Sequence, residues 1–333
     1  MALSRIDPIV NPGVVSSHVH AVVGGSSFAV DYTSAYKDAA CTSISTPADR
    51  SNYWMPAVYG MKDNLFYALP VREVRIYYFL NTEMEAFPEG FKMLAGSPMT
   101  RSPDENMIWY CQQGSHDMTG VESLGRNSQF PLERCWDFLR SEITFPSCWS
   151  GDTTLDTEGQ TAYRDGDSCP DTHPVQLPKI VLEFGYNSSD FDPTSLVLAN
   201  GDTAGYGLHG DFASGWDRDV LQALIDDENC NARQNPYGED DSTCKVLEGK
   251  RDDDGANSCT LVGPIPQEAV GIMEPLSALP GCNLLWSDNS TKPTCDPEPS
   301  TPAIGPYTAI FQSFGASYAG DVPGLIPVYE AGY

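Results

Sequence analysis

Twenty-nine glycines and 26 prolines interrupt this chain so often that long helices are excluded over most of its length. Short strands fit between the breaks. Val74, Ile76, Tyr78 and Leu80 alternate with Arg75, Tyr77 and Phe79, which lines the aliphatic side chains along one sheet face. Ile180, Leu182, Phe184 and Tyr186 alternate in the same way with Lys179, Val181 and Glu183. In both runs the second face is also partly apolar, as expected of strands buried between two sheets. Two helices are predicted. One follows Pro131 and places Leu132, Cys135, Trp136, Leu139 and Ile143 at helical spacing. The other starts at the N-cap Asp217, runs through Val220, Leu221, Leu224 and Ile225, and ends before Asn229-Cys230. Many short strands with few helices predict a mainly β fold. The expectation is an antiparallel sandwich or jelly-roll with a few short helices and long, disulfide-stapled loops.

The staples come from ten cysteines: Cys41, Cys111, Cys135, Cys148, Cys169, Cys230, Cys244, Cys259, Cys282 and Cys295. None forms the close Cys-x-x-Cys pair of a zinc ribbon or redox motif. Up to five disulfides and an oxidising compartment follow, with the connectivity open. Acceptor sequons at Asn187-Ser188-Ser189 and Asn289-Ser290-Thr291 agree with export. Met1 to Asp7 lacks a basic region followed by an apolar stretch, so no signal peptide is visible there. No apolar run approaches the roughly 18 residues of a membrane span. A formal charge of −27 repels nucleic acid and anionic membrane, which excludes both as partners. Oligomeric state is left open.

With 333 residues, no internal repeat and no clean linker, one domain spanning 1–333 is expected. Residues 226–256 read as an acidic insertion carrying Glu239-Asp240-Asp241 and Asp252-Asp253-Asp254, taken as solvated loops. Beyond Cys259 the chain is Pro-rich and weakly periodic.

The chain has only five histidines, and four of them fall in short turn-rich clusters. His18 and His20 are two apart, so on a strand both imidazoles project from one face. His209 and Asp211 share that spacing, and His173 is held extended by Pro174. As metal ligands, His18, His20, His173 and His209 with a carboxylate suit zinc, manganese or iron, with an open position for water. A metal-free site is the alternative. There His18 or His20 acts as general base, Asp211 orients it, and Arg50 or Tyr53 stabilises charge, as in polysaccharide cleavage by elimination. A glycosidase would draw its carboxylates from the neighbourhood of Asp49, Glu183 and Asp211. Alternatively, each histidine simply makes ordinary hydrogen bonds in a tight turn. Trp54, Trp149 and Trp216 sit beside polar turns and are read as sugar-stacking platforms, while Trp136 is assigned to the core. Asp165-Gly166-Asp167 and Asn200-Gly201-Asp202 are candidates for structural calcium, without matching an EF-hand. Gly24-Gly25 is too little for a nucleotide loop, so no nucleotide is expected.

Several motifs in order carry a resemblance. They are Arg5-Ile6-Asp7-Pro8-Ile9-Val10 with Pro12-Gly13 and Ser17-His18-Val19-His20, then Asp49-Arg50-Ser51-Asn52-Tyr53-Trp54 and Phe145-Pro146-Ser147-Cys148-Trp149. His173-Pro174-Val175 with Leu177-Pro178, and His209-Gly210-Asp211-Phe212 with Gly215-Trp216-Asp217, complete the set. Together they resemble a fungal secreted domain family of unknown function, whose members often stand beside WSC carbohydrate-binding modules. The resemblance covers about residues 5–225 and leaves 226–333 as an extension. It implies secretion, fungal origin and a cell-wall or polysaccharide setting. It also implies an acid at 150 and a serine at 172, where Ser150 and Thr172 stand. The expected function is therefore a secreted carbohydrate-active hydrolase or lyase with a histidine-rich, metal-dependent site. The alternative is a non-catalytic glycan-binding or cell-wall protein with a structural histidine cluster.

Overall fold

The computed structural model describes residues 2–31, 39–113, 122–136, 138–154, 157–230, 244–288 and 290–305. The chain is mainly β, with every strand pairing antiparallel. One five-stranded sheet runs β1 (Ala2–Ser4), β2 (His20–Gly24), β3 (Asn52–Pro56), β16 (His209–Ala213), β7 (Lys92–Gly96). The second runs β6 (Val71–Phe79), β14 (Lys179–Tyr186), β10 (Phe138–Thr144), β8 (Met107–Gln113), β9 (Glu122–Asn127). Smaller sheets join β12 (Thr161–Ala162), β11 (Cys148–Trp149) and β13 (Val175–Gln176), then β15 (Leu196–Leu198), β4 (Val58–Lys62) and β5 (Leu65–Ala68). β17 (Ile265–Pro266) pairs with β18 (Ile304–Gly305).

The two large sheets share one hydrophobic core. Val23, Tyr53, Met55 and Phe212 of the first meet Val74, Ile76, Leu139, Ile143, Leu182 and Phe184 of the second. The Ser141 hydroxyl touches Met55 Sδ at 3.3 Å, and the Phe145 and Phe212 rings lie 6.4 Å apart. At Gly210 the sheets approach so closely that a Cβ would sit 3.0 Å from Ile143. The alternation at 74–80 and 180–186 is therefore the inward face of two neighbouring strands, with Ile76 opposite Leu182. A polar thread crosses this core. Tyr53 donates to Asp49 at 2.6 Å, Trp216 Nε1 donates to the Tyr78 hydroxyl at 2.8 Å, and the two tyrosine hydroxyls touch.

The outer face of the second sheet buries charge. Arg140 has no exposed surface and contacts Glu73, Glu183 at 3.6 Å, and Gln112. Tyr110 and Tyr77 both donate to Glu183, at 2.8 and 3.3 Å, Arg75 pairs with Glu73 at 3.3 Å, and Arg126 pairs with Glu142 at 2.6 Å.

The helix predicted after Pro131 is absent. Residues 138–144 form the strand β10, between β8 and β14. Leu139 and Ile143 are four apart, a spacing that serves both a helix face and alternate positions of a strand. Two flanking strands with ladder bonds to offer decide between them. Of the other residues of the supposed apolar stripe, Cys135 is buried in its disulfide, while Leu132 and Trp136 are 81% and 67% exposed, so Trp136 is not a core residue. The second helix forms as expected: α1 (Arg218–Asp226) is capped by Asp217, which accepts from the N–H of Asp219 and Val220. The acidic run at 252–254 is not a plain loop. Asp252 caps a short helix, α2 (Asp253–Ser258), whose first turn is acidic, as the helix dipole favours. Glu239-Asp240-Asp241 and the sequon residue Asn289 lie outside the described residues.

All ten cysteines pair: Cys41–Cys259, Cys111–Cys135, Cys148–Cys169, Cys230–Cys244 and Cys282–Cys295. Five disulfides suit an oxidising compartment. Among the described residues no helix is long and apolar enough to cross a membrane.

Candidate functional site

The site lies on the face of the first sheet that points away from the shared core. Strand register arranges its side chains in two rows. Ser4, His20 and Pro56 are mutual partners, and the next row holds Val22, Trp54, Asp211 and Leu94. His209 stands two residues before Asp211 on β16, hence on the same face and in the first row. Proline leaves the floor between His20 and His209 low. Beyond His209 the row ends on Gly96, whose φ is +73° and where a Cβ would lie 2.7 Å from the Leu208 carbonyl oxygen. His18 reaches the same point from just ahead of β2.

Three imidazoles converge there. The His18 and His20 ring centres are 4.3 Å apart, those of His18 and His209 5.0 Å, and those of His20 and His209 6.0 Å. One nitrogen from each ring falls within 4.8 Å of the other two, and among the described residues this is the only such group of His, Cys, Asp or Glu. Hydrogen bonds fix the tautomers. His20 Nδ1 donates to the Ile6 carbonyl at 3.0 Å, and His209 Nδ1 donates to the Gly207 carbonyl at 2.8 Å. Carbonyl oxygens only accept, so each Nδ1 carries the proton and each Nε2 presents a lone pair. His18 Nε2 lies 3.0 Å from His209 Nε2, and its Nδ1 lies 3.0 Å from the Ser17 hydroxyl. His20 Nε2 is buried with no hydrogen-bond partner.

The site is roofed by the N-terminal segment. Ile6 is fully buried and packs with Val22, Phe28, Trp54, Ala213 and Ile265. Arg5 holds Glu268 through two bonds of 2.7 and 3.0 Å and donates to the Ser16 carbonyl at 3.0 Å. Asn283 donates to the Ser17 carbonyl at 2.7 Å and is itself braced by Lys292 at 2.9 Å. Burial governs the electrostatics. It pushes His20 down to about 3 and, with the neighbouring His20 charge, His209 down to about 4. His18 is held well below the usual imidazole value by burial and then by His20 and His209. Burial raises Asp7, and burial followed by the Asp7 charge raises Asp211. The three rings are therefore neutral at and well below neutral pH, the form in which histidine binds metal.

Of the residues read from the sequence, His18, His20 and His209 come together, with Asp211 in the adjoining row. His173 lies elsewhere, in the turn before β13, bonded to the Thr172 hydroxyl and the Gly159 carbonyl, each at 2.9 Å. Arg50 immediately precedes Ser51 at the head of β3, where its backbone N–H donates to the Gly215 carbonyl at 3.3 Å. Tyr53 points into the shared core and bonds Asp49, so it serves the opposite face of the sheet from its neighbour Trp54. The three tryptophans read as sugar platforms are covered: Trp54, Trp149 and Trp216 are 0%, 7% and 8% exposed. Trp54 packs on Phe28 and Trp149 donates to Gln160, which leaves no free ring face on Trp54 for a sugar. Neither calcium candidate belongs to a group of three or more converging His, Cys, Asp or Glu ligand atoms among the described residues. The Asp202 oxygens are taken by the N–H groups of Ala204 and Gly207. Asp7 was missed as a site residue. Its signal was the Asp-Pro turn, in which Asp7 Oδ1 accepts from Ile9 and Val10 and sets the roof over the histidines.

Residues 7–216, which hold all three histidines, match the family model described as a domain of unknown function (DUF1996). No curated protein and no solved structure matches the chain.

Proposed function

The chain belongs to the DUF1996 family of domains of unknown function, and we propose that it is a secreted metalloprotein acting on cell-wall polysaccharide, with His18, His20 and His209 holding one divalent transition-metal ion. One observation carries the metal assignment. Two buried imidazoles are tied through Nδ1–H to backbone carbonyls, which sets the unprotonated Nε2 of His209 against that of His18 at 3.0 Å and leaves His20 Nε2 without a partner. Metal-binding histidines are oriented in this way by their outer hydrogen bonds. All-nitrogen ligation at neutral charge suits zinc or iron better than manganese, which prefers oxygen ligands. When bound, such an ion supplies Lewis-acid polarisation and acidifies water. Export is supported by the five disulfides, and the polysaccharide setting by the resemblance of residues 5–225 to secreted fungal domains.

Metal-free acid–base catalysis suits the site less well. A general base works best with a pKa near the operating pH, and burial has lowered His20 to about 3 and His209 to about 4. A second reading, a structural metal in a glycan-binding protein, is favoured by the burial of the rings, which are 4%, 0% and 6% exposed for His18, His20 and His209.

Elemental analysis of protein purified without added metal or nickel affinity tests the central assignment. The expected result is near-stoichiometric transition metal in the native protein and none in His18→Ala/His20→Ala. Equal metal in both, or none after controlled reloading, overturns it. Reducing-end release and unsaturated-uronide absorbance on plant and fungal polysaccharides then separate catalysis from binding.

A further inference from the structure

Far from the histidines, an exposed apolar surface stands beside the Asn187 sequon. Leu132, at 81%, is the most exposed large apolar side chain among the described residues. Trp136 follows it at 67%, on the same segment tied down by Cys111–Cys135. The other five tryptophans are at most 8% exposed, so Trp136 is the one indole of the chain offered to solvent. A Trp and a Leu exposed together make a larger apolar step than the scattered single residues of an ordinary surface.

Strand register places the sequon next to them. β10 and β14 pair antiparallel, with Leu139 opposite Tyr186. Followed outward, that register brings Trp136 opposite Ser189, the last residue of Asn187-Ser188-Ser189. The two chains stay together past the final ladder pair. Arg134 donates to the Ser189 carbonyl at 3.2 Å, and its guanidinium lies over the Trp136 ring, 5.5 Å from the ring centre. One side chain thus spans from the sequon backbone to the indole. Diagonal neighbours across an antiparallel pair are about 7–8 Å apart, which sets the scale between Asn187 and Trp136.

The acceptor atom is free. Asn187 Oδ1 accepts from the Ser189 N–H at 3.4 Å and from the Ser189 hydroxyl at 3.0 Å. The Asn187 backbone N–H donates to the Pro70 carbonyl at 3.1 Å. An N–H donor to the side chain fixes which of its two end atoms is oxygen. Nδ2 is left unbonded, and it is not buried.

We infer that Asn187 carries an N-linked glycan whose first sugars lie on Trp136 and Leu132. This rests on the export reading above and is independent of the metal. In the modification Nδ2 releases one proton and bonds the anomeric carbon of an N-acetylglucosamine, whose bond to a lipid-linked diphosphate donor breaks. The donor comes from the secretory route. The C–H face of the sugar is apolar and packs on the indole, while its hydroxyls stay in water. The chain's own carbohydrate, rather than a partner, then covers the Leu132 and Trp136 surface.

The chain is produced through the secretory route of a eukaryotic host as wild type, Asn187→Gln and Ser189→Ala. Limiting N-bromosuccinimide oxidises exposed indoles, and peptide mass spectrometry reads glycan occupancy, disulfides and the modified tryptophan. Wild type is expected to carry hexosamine at Asn187. Its Trp136 should oxidise about 2- to 10-fold more slowly than in either variant, the protection given by a contact of aromatic-pair strength. Enzymatic removal of the glycan from folded wild type should bring the rate to that of the variants, whatever the variants' own folding. Secreted protein with its disulfides formed and a bare Asn187 overturns the inference and leaves the export reading standing. So does a glycan at Asn187 with Trp136 oxidised equally fast before and after its removal. A chain that never reaches the medium, and folds in the cytosol with its cysteines reduced, removes the export reading and this inference with it.

Discussion

The outer faces of the two large sheets both bury polar side chains, and they do so in opposite ways. Around Arg140 on the second sheet, opposite charges stand together: Glu73 and Glu183 flank the guanidinium, Arg75 backs Glu73, and Tyr77 and Tyr110 donate to Glu183. On the first sheet the roofed site has no such pairing of opposite charges. His20 Nε2 and Asp211 Oδ2 lack hydrogen-bond partners, and three imidazoles bring one nitrogen each within 4.8 Å of the others. Buried opposite charges that pair with one another are a structural element, costly to break when one partner is removed. A buried set that is complementary only to something absent from the sequence is a binding site. The contrast separates two clusters that look equally polar in composition.

The largest effect expected from this contrast is on the second sheet. Arg140→Met leaves Glu73 and Glu183 buried without their shared counter-charge, and removal of one partner from such a network costs about 3–5 kcal/mol. Denaturant unfolding should show that loss, while elemental analysis shows metal content unchanged. A variant that unfolds at wild-type denaturant would mean that the Arg140 face is not structural, and the comparison would fail.

Next comes the polar thread between the sheets, which is neither fully charged nor empty. Burial raises Asp49 to about 6 from 3.8, against hydrogen bonds from Ser51 and Tyr53 that favour its anion. Between those values the native carboxyl holds a proton that the unfolded chain has released, so stability rises as pH falls through the window. The penalty present at neutral pH is roughly 3 kcal/mol by linkage. Asp49→Asn should flatten the stability profile between pH 4 and 6, and melts at half-unit steps would show it. An unchanged slope would place the titration on another group.

On the first sheet the effect should depend on metal. A ligand present at about 100 times its dissociation constant stabilises the native state by about 2.7 kcal/mol. Zinc at that level should raise the unfolding midpoint of wild type and leave His20→Ala or His209→Ala unmoved. Equal gains in wild type and variants would assign the zinc to some other site.

How much of this was legible from sequence depends on which interactions are local. The His209/Asp211 spacing, the strands around 74–80 and 180–186, and the Asp217 cap follow from periods of two and from one side-chain bond, whereas His18 meets His20 from a bend ahead of β2, which strand period does not give. The same period already implies that Tyr53 and Trp54 face opposite ways. The strand at 138–144 was not legible, because four-residue spacing fits two periodicities and only neighbouring strands decide. Nor was the Ile6 carbonyl under His20, or the pairing of Cys41 with Cys259 across 218 residues, since register and loop closure are long-range facts.

His173 carries the smallest expected effect and is the cleanest test of that boundary. In sequence it is a fourth cluster member indistinguishable from the other three, placed by Pro174 in an extended turn. In the fold it is outside the convergent group, and both ring nitrogens are occupied, by the Thr172 hydroxyl and the Gly159 carbonyl. His173→Ala should therefore leave metal content unchanged. It should cost at most the net value of one or two partly exposed hydrogen bonds, about 0.5–1.5 kcal/mol each. Loss of metal would require the turn before β13 to carry its ring to the first sheet. The contrast between the charge-paired Arg140 cluster and the three-histidine centre would then have to be redrawn with four ligands.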